Sequence, residues 1–261
     1  MTTPSKVLIT GASSGIGAVY ADRFAQRGYH LILVARDLQR LNNLAQQLIQ
    51  TYQVGVEVIQ ADLTQDQDIS RVEQILQQDT DIEILVNNAG MSLNGAFSQQ
   101  DLKYIEQLLT LNIMAVVRLS HAISQQFIQK KSGAIINLGS VVGLAPEFGL
   151  TLYGASKAFI QYFSQALSLE LQDKGVYIQA VLPSATKTEI WERSGSDLKT
   201  LPPMMEVSDL VDAALVGFDQ KENITIPVLQ DENQWKDYQQ LRMKLLPEFS
   251  TAKVATRYKV L

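Results

Sequence analysis

The sequence predicts a doubly wound α/β fold, a parallel sheet of about seven strands with helices on both faces. Two observations carry that expectation. Short β-branched runs at 6–10, 31–35, 56–60, 84–87, 134–138, 176–181 and 224–226 alternate with stretches of helical periodicity at 16–27, 38–52, 69–78, 102–129, 152–173 and 208–218. The runs are also too continuously apolar to leave one sheet face in water, so helices must cover both.

Length and composition agree. The 261 residues, 46% apolar and 19% charged, are enough for one large domain with a well-buried core. No Pro/Gly/Ser linker interrupts the alternation, so a single dinucleotide-binding domain over 1–261 is the simplest account. Two features stand outside it. The connection at about 184–207 is longer than such loops usually run and reads as a substrate loop or lid. A C-terminal extension at about 228–261 carries one more helical stretch, 234–245.

The charge balance excludes several function classes. A net charge of -5, from 22 basic and 27 acidic side chains, with no basic run longer than Lys130-Lys131, leaves no footprint for nucleic acid. Zero cysteines exclude thiolate metal sites, and His30 and His121, far apart in sequence, make a poor metal pair. The apolar run Val7-Leu8-Ile9 is too short for a signal peptide, and residues 108–117 are too few to span a bilayer. The expectation is a cytoplasmic protein without a membrane span.

The first strand runs into Thr10-Gly11-Ala12-Ser13-Ser14-Gly15-Ile16-Gly17, which opens the first helix. A pyrophosphate can sit there on free backbone N–H groups at the positive helix end, and glycines let the backbone approach it. The spacing is G-x-x-x-G-x-G rather than the general G-x-G-x-x-G. After the second strand comes Ala35-Arg36-Asp37, where the general pattern expects an acid for the NAD ribose. An arginine there suits a 2′-phosphate and so NADP over NAD. The other reading is a solvated Arg36-Asp37 pair at the head of the next helix.

In order and spacing, these residues resemble the short-chain dehydrogenase/reductase family, in its shorter single-domain branch. The likeness extends to about Pro227. Thr10 to Gly17 match that family's glycine loop, Asp62-Leu63 its adenine-contacting pair, and Asn87-Asn88-Ala89-Gly90 its N-N-A-G signature. Asn112, Ser140, Tyr153 and Lys157 fall where the family places its catalytic tetrad. The resemblance implies cofactor contacts from Gly11, Ser13, Ser14, Gly15, Ile16, Gly17, Arg36, Asp62, Leu63, Asn88, Ala89, Gly90, Tyr153, Lys157, Pro183 and Thr188. One departure stands out: Pro183 is followed by Ser184, where the family usually has glycine, with Thr188 at the expected threonine. Homodimers or homotetramers, built through the helices at 102–129 and 152–173, are implied by analogy only.

The tetrad has a physical rationale of its own. Tyr153 and Lys157 are four apart, so on a helix they share one face. A nearby ammonium favours the ionised phenol, and a depression of about 3 units from its usual value near 10 would match the group to neutral pH. Ser140, ending the fifth strand, would hydrogen-bond a carbonyl oxygen that gains charge while Tyr153 delivers the proton. The resemblance implies that Asn112, poorly suited to a helix interior, marks a distortion serving a proton relay to Lys157.

The expected activity is therefore NADP-dependent hydride transfer between the nicotinamide and a ketone or aldehyde, the alcohol being the reduced partner. Val141, Val142, Leu144, Phe148, Leu150, Trp191, Met204 and Met205 suggest an apolar substrate. Two alternatives are a non-catalytic NADP-binding regulator or redox sensor, and a ketoacyl reductase for carrier-bound substrates. The latter needs a basic docking patch, for which Arg118, Lys130, Lys131 and Arg193 are the candidates.

Overall fold

The computed structural model describes residues 5–193 and 203–259. Seven strands form one sheet: β1 (Lys6–Thr10), β2 (His30–Ala35), β3 (Val56–Gln60), β4 (Ile82–Asn87), β5 (Ala134–Leu138), β6 (Tyr177–Val181) and β7 (Ile224–Thr225). Their order is β3-β2-β1-β4-β5-β6-β7, and every pairing is parallel. The chain reverses direction between β1 and β4. In open α/β sheets a ligand sits at that switch point, beyond the carboxyl ends of the strands.

Period-two alternation builds two cores from one sheet. Val7 and Ile9 of β1 face one side with Leu31 and Leu33 of β2, under α1 (Gly15–Gln26), α2 (Leu38–Tyr52) and α8 (Val207–Asp219). Leu8, Ile32 and Val34 face the other, under α3 (Asp66–Gln78) and α5 (Ala115–Lys130). The expectation that every strand is buried on both faces fails at β3. At this sheet edge Glu57 and Gln60 are exposed.

The predicted continuous helix at 102–129 is also interrupted. It consists of α4 (Leu102–Leu109), a π-helical turn at Thr110–Met114, and α5. Asn112 lies inside that turn. The helix α6 (Thr151–Leu171) carries Tyr153 and Lys157 in its first two turns. A single turn, α7 (Ile190–Arg193), lies in the long connection after β6, whose residues 194–202 lie outside the described residues.

The chain divides into two compact units, Met1–Pro227 and Val228–Leu261. The second holds α9 (Glu232–Lys244) and α10 (Leu246–Phe249), with Trp235 stacked on Tyr238 at 5.3 Å and no buried residue in either helix.

In the first unit, Phe24 of α1 is fully buried, stacked on Tyr20 at 6.0 Å and edge-on to Phe218 at 6.3 Å. Phe24→Ala removes these ring contacts, and a third with Tyr29, and leaves a cavity, so unfolding free energy in urea is expected to fall by about 3–5 kcal/mol. A loss below about 1 kcal/mol would show that α1 and α8 close the gap.

Candidate active site

The turn between β1 and α1 is shaped by a side chain outside it. Asn88, just past β4, donates from Nδ2 to the carbonyls of Thr10 (2.9 Å) and Gly11 (3.1 Å). Thr10 Oγ1 accepts from the backbone N–H groups of Asn88 and Ala89, both at 3.0 Å, and donates to Val86 O at 3.2 Å. The two strands flanking the switch point are thereby tied at their carboxyl ends. A Cβ at Gly17 would collide with Gly11 O and lie 2.5 Å from Asn88 Nδ2; one at Gly11, where φ is +64°, would lie 2.8 Å from the same atom. These two positions need glycine because backbone and amide already fill the space.

The loop runs into the α1 N-terminus. Ser14 is the N-cap but makes no side-chain cap bond, and no acid sits in the first turn. Ser13, Ser14, Gly15 and Ile16 are half-buried there. This helix end therefore fits an anionic pyrophosphate. Across it, the Cγ2 methyl of Thr188 lies 3.3 Å from where a Gly15 Cβ would be.

At the other end of the groove, Asp37 does not pair with Arg36. It caps α2 by accepting from Arg40 N–H at 3.0 Å and pairs with the Arg40 guanidinium at 3.4 Å. Arg36 is exposed and, among the described residues, has no ion-pair partner. With Ala35 beside it instead of an acid, this cation fits a 2′-phosphate. Asp62 accepts from Thr64 N–H and Oγ1, at 3.0 and 2.8 Å, and Leu63 is buried in the core beneath it.

Asn112, Ser140, Tyr153 and Lys157 come together beyond β4 and β5. Lys157 is only 7% exposed; its ammonium donates to Leu138 O at 2.8 Å and lies 5.6 Å from the centroid of the Tyr153 ring. The shared helix face is present. The expected depression of the phenol is not. Burial pushes Tyr153 up to about 12, against a smaller opposing pull from a hydrogen-bonding interaction with Ser140. Burial brings Lys157 down to about 8. Desolvation is the dominant cause for both groups.

Ser140 is 7% exposed; its Oγ donates to Pro183 O and accepts from Val142 N–H, both at 3.2 Å. The 3₁₀ turn Val141–Leu144 presses Gly143 onto α6, where a Cβ would lie 2.6 Å from Ala158 N. Asn112, 1% exposed, is clamped: Oδ1 accepts from Met91 N–H at 2.9 Å, while Nδ2 donates to Met91 O at 2.9 Å and to Ser156 Oγ at 3.1 Å. Ser156 donates onward to Tyr153 O at 2.7 Å. A Cβ on Gly90 would lie 3.3 Å from Asn112 Oδ1 and 3.7 Å from Lys157 Nζ, so the N-A-G turn borders both.

Pro183 is buried, and Ser184 is not among the positive-φ residues, so this backbone does not require the glycine usual there. Leu138 and Ser156 escaped the sequence reading as site residues. Leu138 acts through a backbone group, which carries no signal of residue type.

The model of the short chain dehydrogenase family matches residues 5–199. The chain belongs to that family. A short-chain dehydrogenase from Sphingobium yanoikuyae, solved in complex with NADPH, is 54% identical with a TM-score of 0.96, covering 98% of this chain and 100% of its own. A bulky-bulky ketone specific alcohol dehydrogenase from Comamonas testosteroni is 50% identical with a TM-score of 0.92, covering 99% and 100%. The very-long-chain 3-oxoacyl-CoA reductase of Anas platyrhynchos is 35% identical over 70% of this chain. The match spans 60% of that relative's length.

In this short-chain dehydrogenase the buried Lys157 cation opposes folding. Its pKa is about 8 folded and 10.5 in the unfolded reference, so between those values the unfolded chain binds more protons and stability rises with pH. Lys157→Met removes the buried charge. It is expected to raise unfolding free energy at pH 7 by up to about 3 kcal/mol, the gain shrinking between pH 8 and 10.5. Denaturant titrations at pH 7 and near pH 10 check the sign.

Proposed function

We propose that this chain is an NADP-dependent oxidoreductase that interconverts a ketone or aldehyde with the corresponding alcohol, Tyr153 acting as general acid and base. One observation carries the reading: Ser140, Tyr153, Lys157 and Asn112 converge beyond the same strand ends as the glycine cradle. NADP, when bound, supplies or takes up the hydride. Gly11, Ser13, Ser14, Gly15, Ile16 and Gly17 hold its pyrophosphate, Arg36 the 2′-phosphate, and Asp62 with Leu63 border the adenine. Asn88, Ala89, Gly90, Pro183 and Thr188 line the remainder, and Lys157 reaches the ribose.

Ser140 donates to the substrate oxygen, where negative charge develops on reduction. Tyr153, with its pKa at about 12, carries its proton at neutral pH and delivers it to that oxygen. In the oxidising direction Tyr153 must first give up its proton so that the phenolate can take the one released by the alcohol, and the Lys157 cation favours that ionised form. Asn112, fixed at both ends by Met91, holds the π turn open toward Lys157.

An apolar, bulky substrate fits best. Val142, Leu144 and Leu150 are half-buried and Phe148 is exposed on the segment after Ser140, and a relative sharing half the residues is a bulky-bulky ketone specific alcohol dehydrogenase. The carrier-bound reading finds less support at two of its four candidate cations. Arg118 is neutralised by Asp66 and Glu73, and Lys130 donates to Thr80 O.

The dinucleotide-binding domain, its loop at 184–207 and the extension at 228–261 complete the assignment. We place the protein in the cytoplasm; no helix among the described residues is long and apolar enough to cross a membrane. A homodimer or homotetramer is supported by exposed apolar side chains along α4 to α6: Leu102, Leu109, Met114, Phe159, Tyr162 and Leu169.

Purified protein is expected to oxidise NADPH with a panel of bulky ketones. Tyr153→Phe should lower kcat by about 10²–10⁴-fold while NADPH fluorescence titration stays unchanged; undiminished turnover in that variant defeats the mechanism. Arg36→Ala is expected to weaken NADPH binding and leave NADH binding within about twofold, since only the former carries the charge that Arg36 meets. Equal weakening of both would remove Arg36 from the phosphate site.

A further inference from the structure

The connection after β6 is pinned at its neck. Lys187 N–H donates to Met205 O at 3.0 Å and Met205 N–H to Ala185 O at 2.9 Å, a single parallel bridge between Thr186 and Met205. Lys187 and Glu206 pair beside it, and Trp191 Nε1 donates to Thr186 O at 2.7 Å. The start of this connection is thereby held over the cofactor groove, with Thr188 against Gly15.

The next residue crosses the groove. Glu189 accepts from Arg40 Nη1 through both carboxylate oxygens, at 2.6 and 2.8 Å. Arg40 belongs to the first turn of α2, one helical turn past Arg36, where Asp37 steadies it. The pair therefore joins the wall that would take the adenosine end to the segment that would take the nicotinamide end, and it passes by the glycine loop. The two side chains are 46% and 38% exposed. Such a pair is weak and sensitive to salt, which suits a contact that must open and close at each exchange of cofactor.

We propose that Arg40 and Glu189 are positioning residues that strap the loop after β6 across bound NADP and slow its release. The strap rests on the cofactor reading above. It predicts that loss of either partner has the same consequence. A direct phosphate-binding role for Arg40 predicts the opposite for Glu189, whose removal would free the guanidinium and tighten binding.

Stopped-flow release of NADPH, chased with excess NADP⁺ and followed by nicotinamide fluorescence without substrate, separates these cases. Arg40→Gln and Glu189→Gln are each expected to speed release by about two- to fivefold at low salt, the range for an exposed ion pair. The double variant should match the singles, because the contact is lost once. NADH should show the same ratio, and the differences should vanish near 1 M salt, where screening acts within about 3 Å. Release unchanged in both single variants overturns the strap, as does slower release from Glu189→Gln with faster release from Arg40→Gln. If no form binds NADPH, the cofactor reading falls and the strap with it.

Discussion

The active-site arrangement depends on a cation buried without a carboxylate. Among the described residues Lys157 has a single hydrogen-bond acceptor, the Leu138 carbonyl at the end of β5, and the Tyr153 ring as a neighbour. An ammonium removed from water with so little compensation loses its proton more readily, and the fold bears the cost. The sheet must be stable enough elsewhere to hold it. Two cores packed on opposite faces of seven strands supply that margin, and their rigidity keeps Lys157 from turning outward to water.

The same rigidity explains why so much of the site is backbone fixed by side chains. Asn88 and Thr10 tie β1 to β4 at the switch point, and Asn112 clamps Met91 through both of its amide groups. Each bond satisfies a polar group that would otherwise be stranded near the core, while fixing a turn that faces the cleft. Ser156 extends the chain from Asn112 to the first turn of α6, so the π turn and the tyrosine-bearing helix are coupled. A shift in one is felt by the other.

Charge allocation along the groove follows from competition between neighbours. Asp37 had two arginines within reach in sequence, and the capping geometry of α2 gives it to Arg40. Arg36 is thereby left without an ion-pair partner among the described residues. Arg40 in turn meets Glu189 from the far wall, a partnership spanning 149 positions of sequence. On the outer face of α1, Arg23 and Arg27 are absorbed by Asp212 and Asp219 of α8 and staple those helices together.

The sequence by itself determined the fold class and the strand positions, because local periodicity and turn glycines are written in adjacent residues, and its resemblance to the family picked out the four catalytic candidates. Asn112 as a point of helix distortion came from the same resemblance, with which its poor helix propensity agrees. Tertiary structure decided what depends on burial and on distant partners. The edge position of β3, the raised phenol of Tyr153, the assignment of Asp37 to Arg40 and the reach of Glu189 all follow from which surfaces meet. Dielectric environment and long-range pairing arise only after the chain has closed on itself, so no local pattern encodes them.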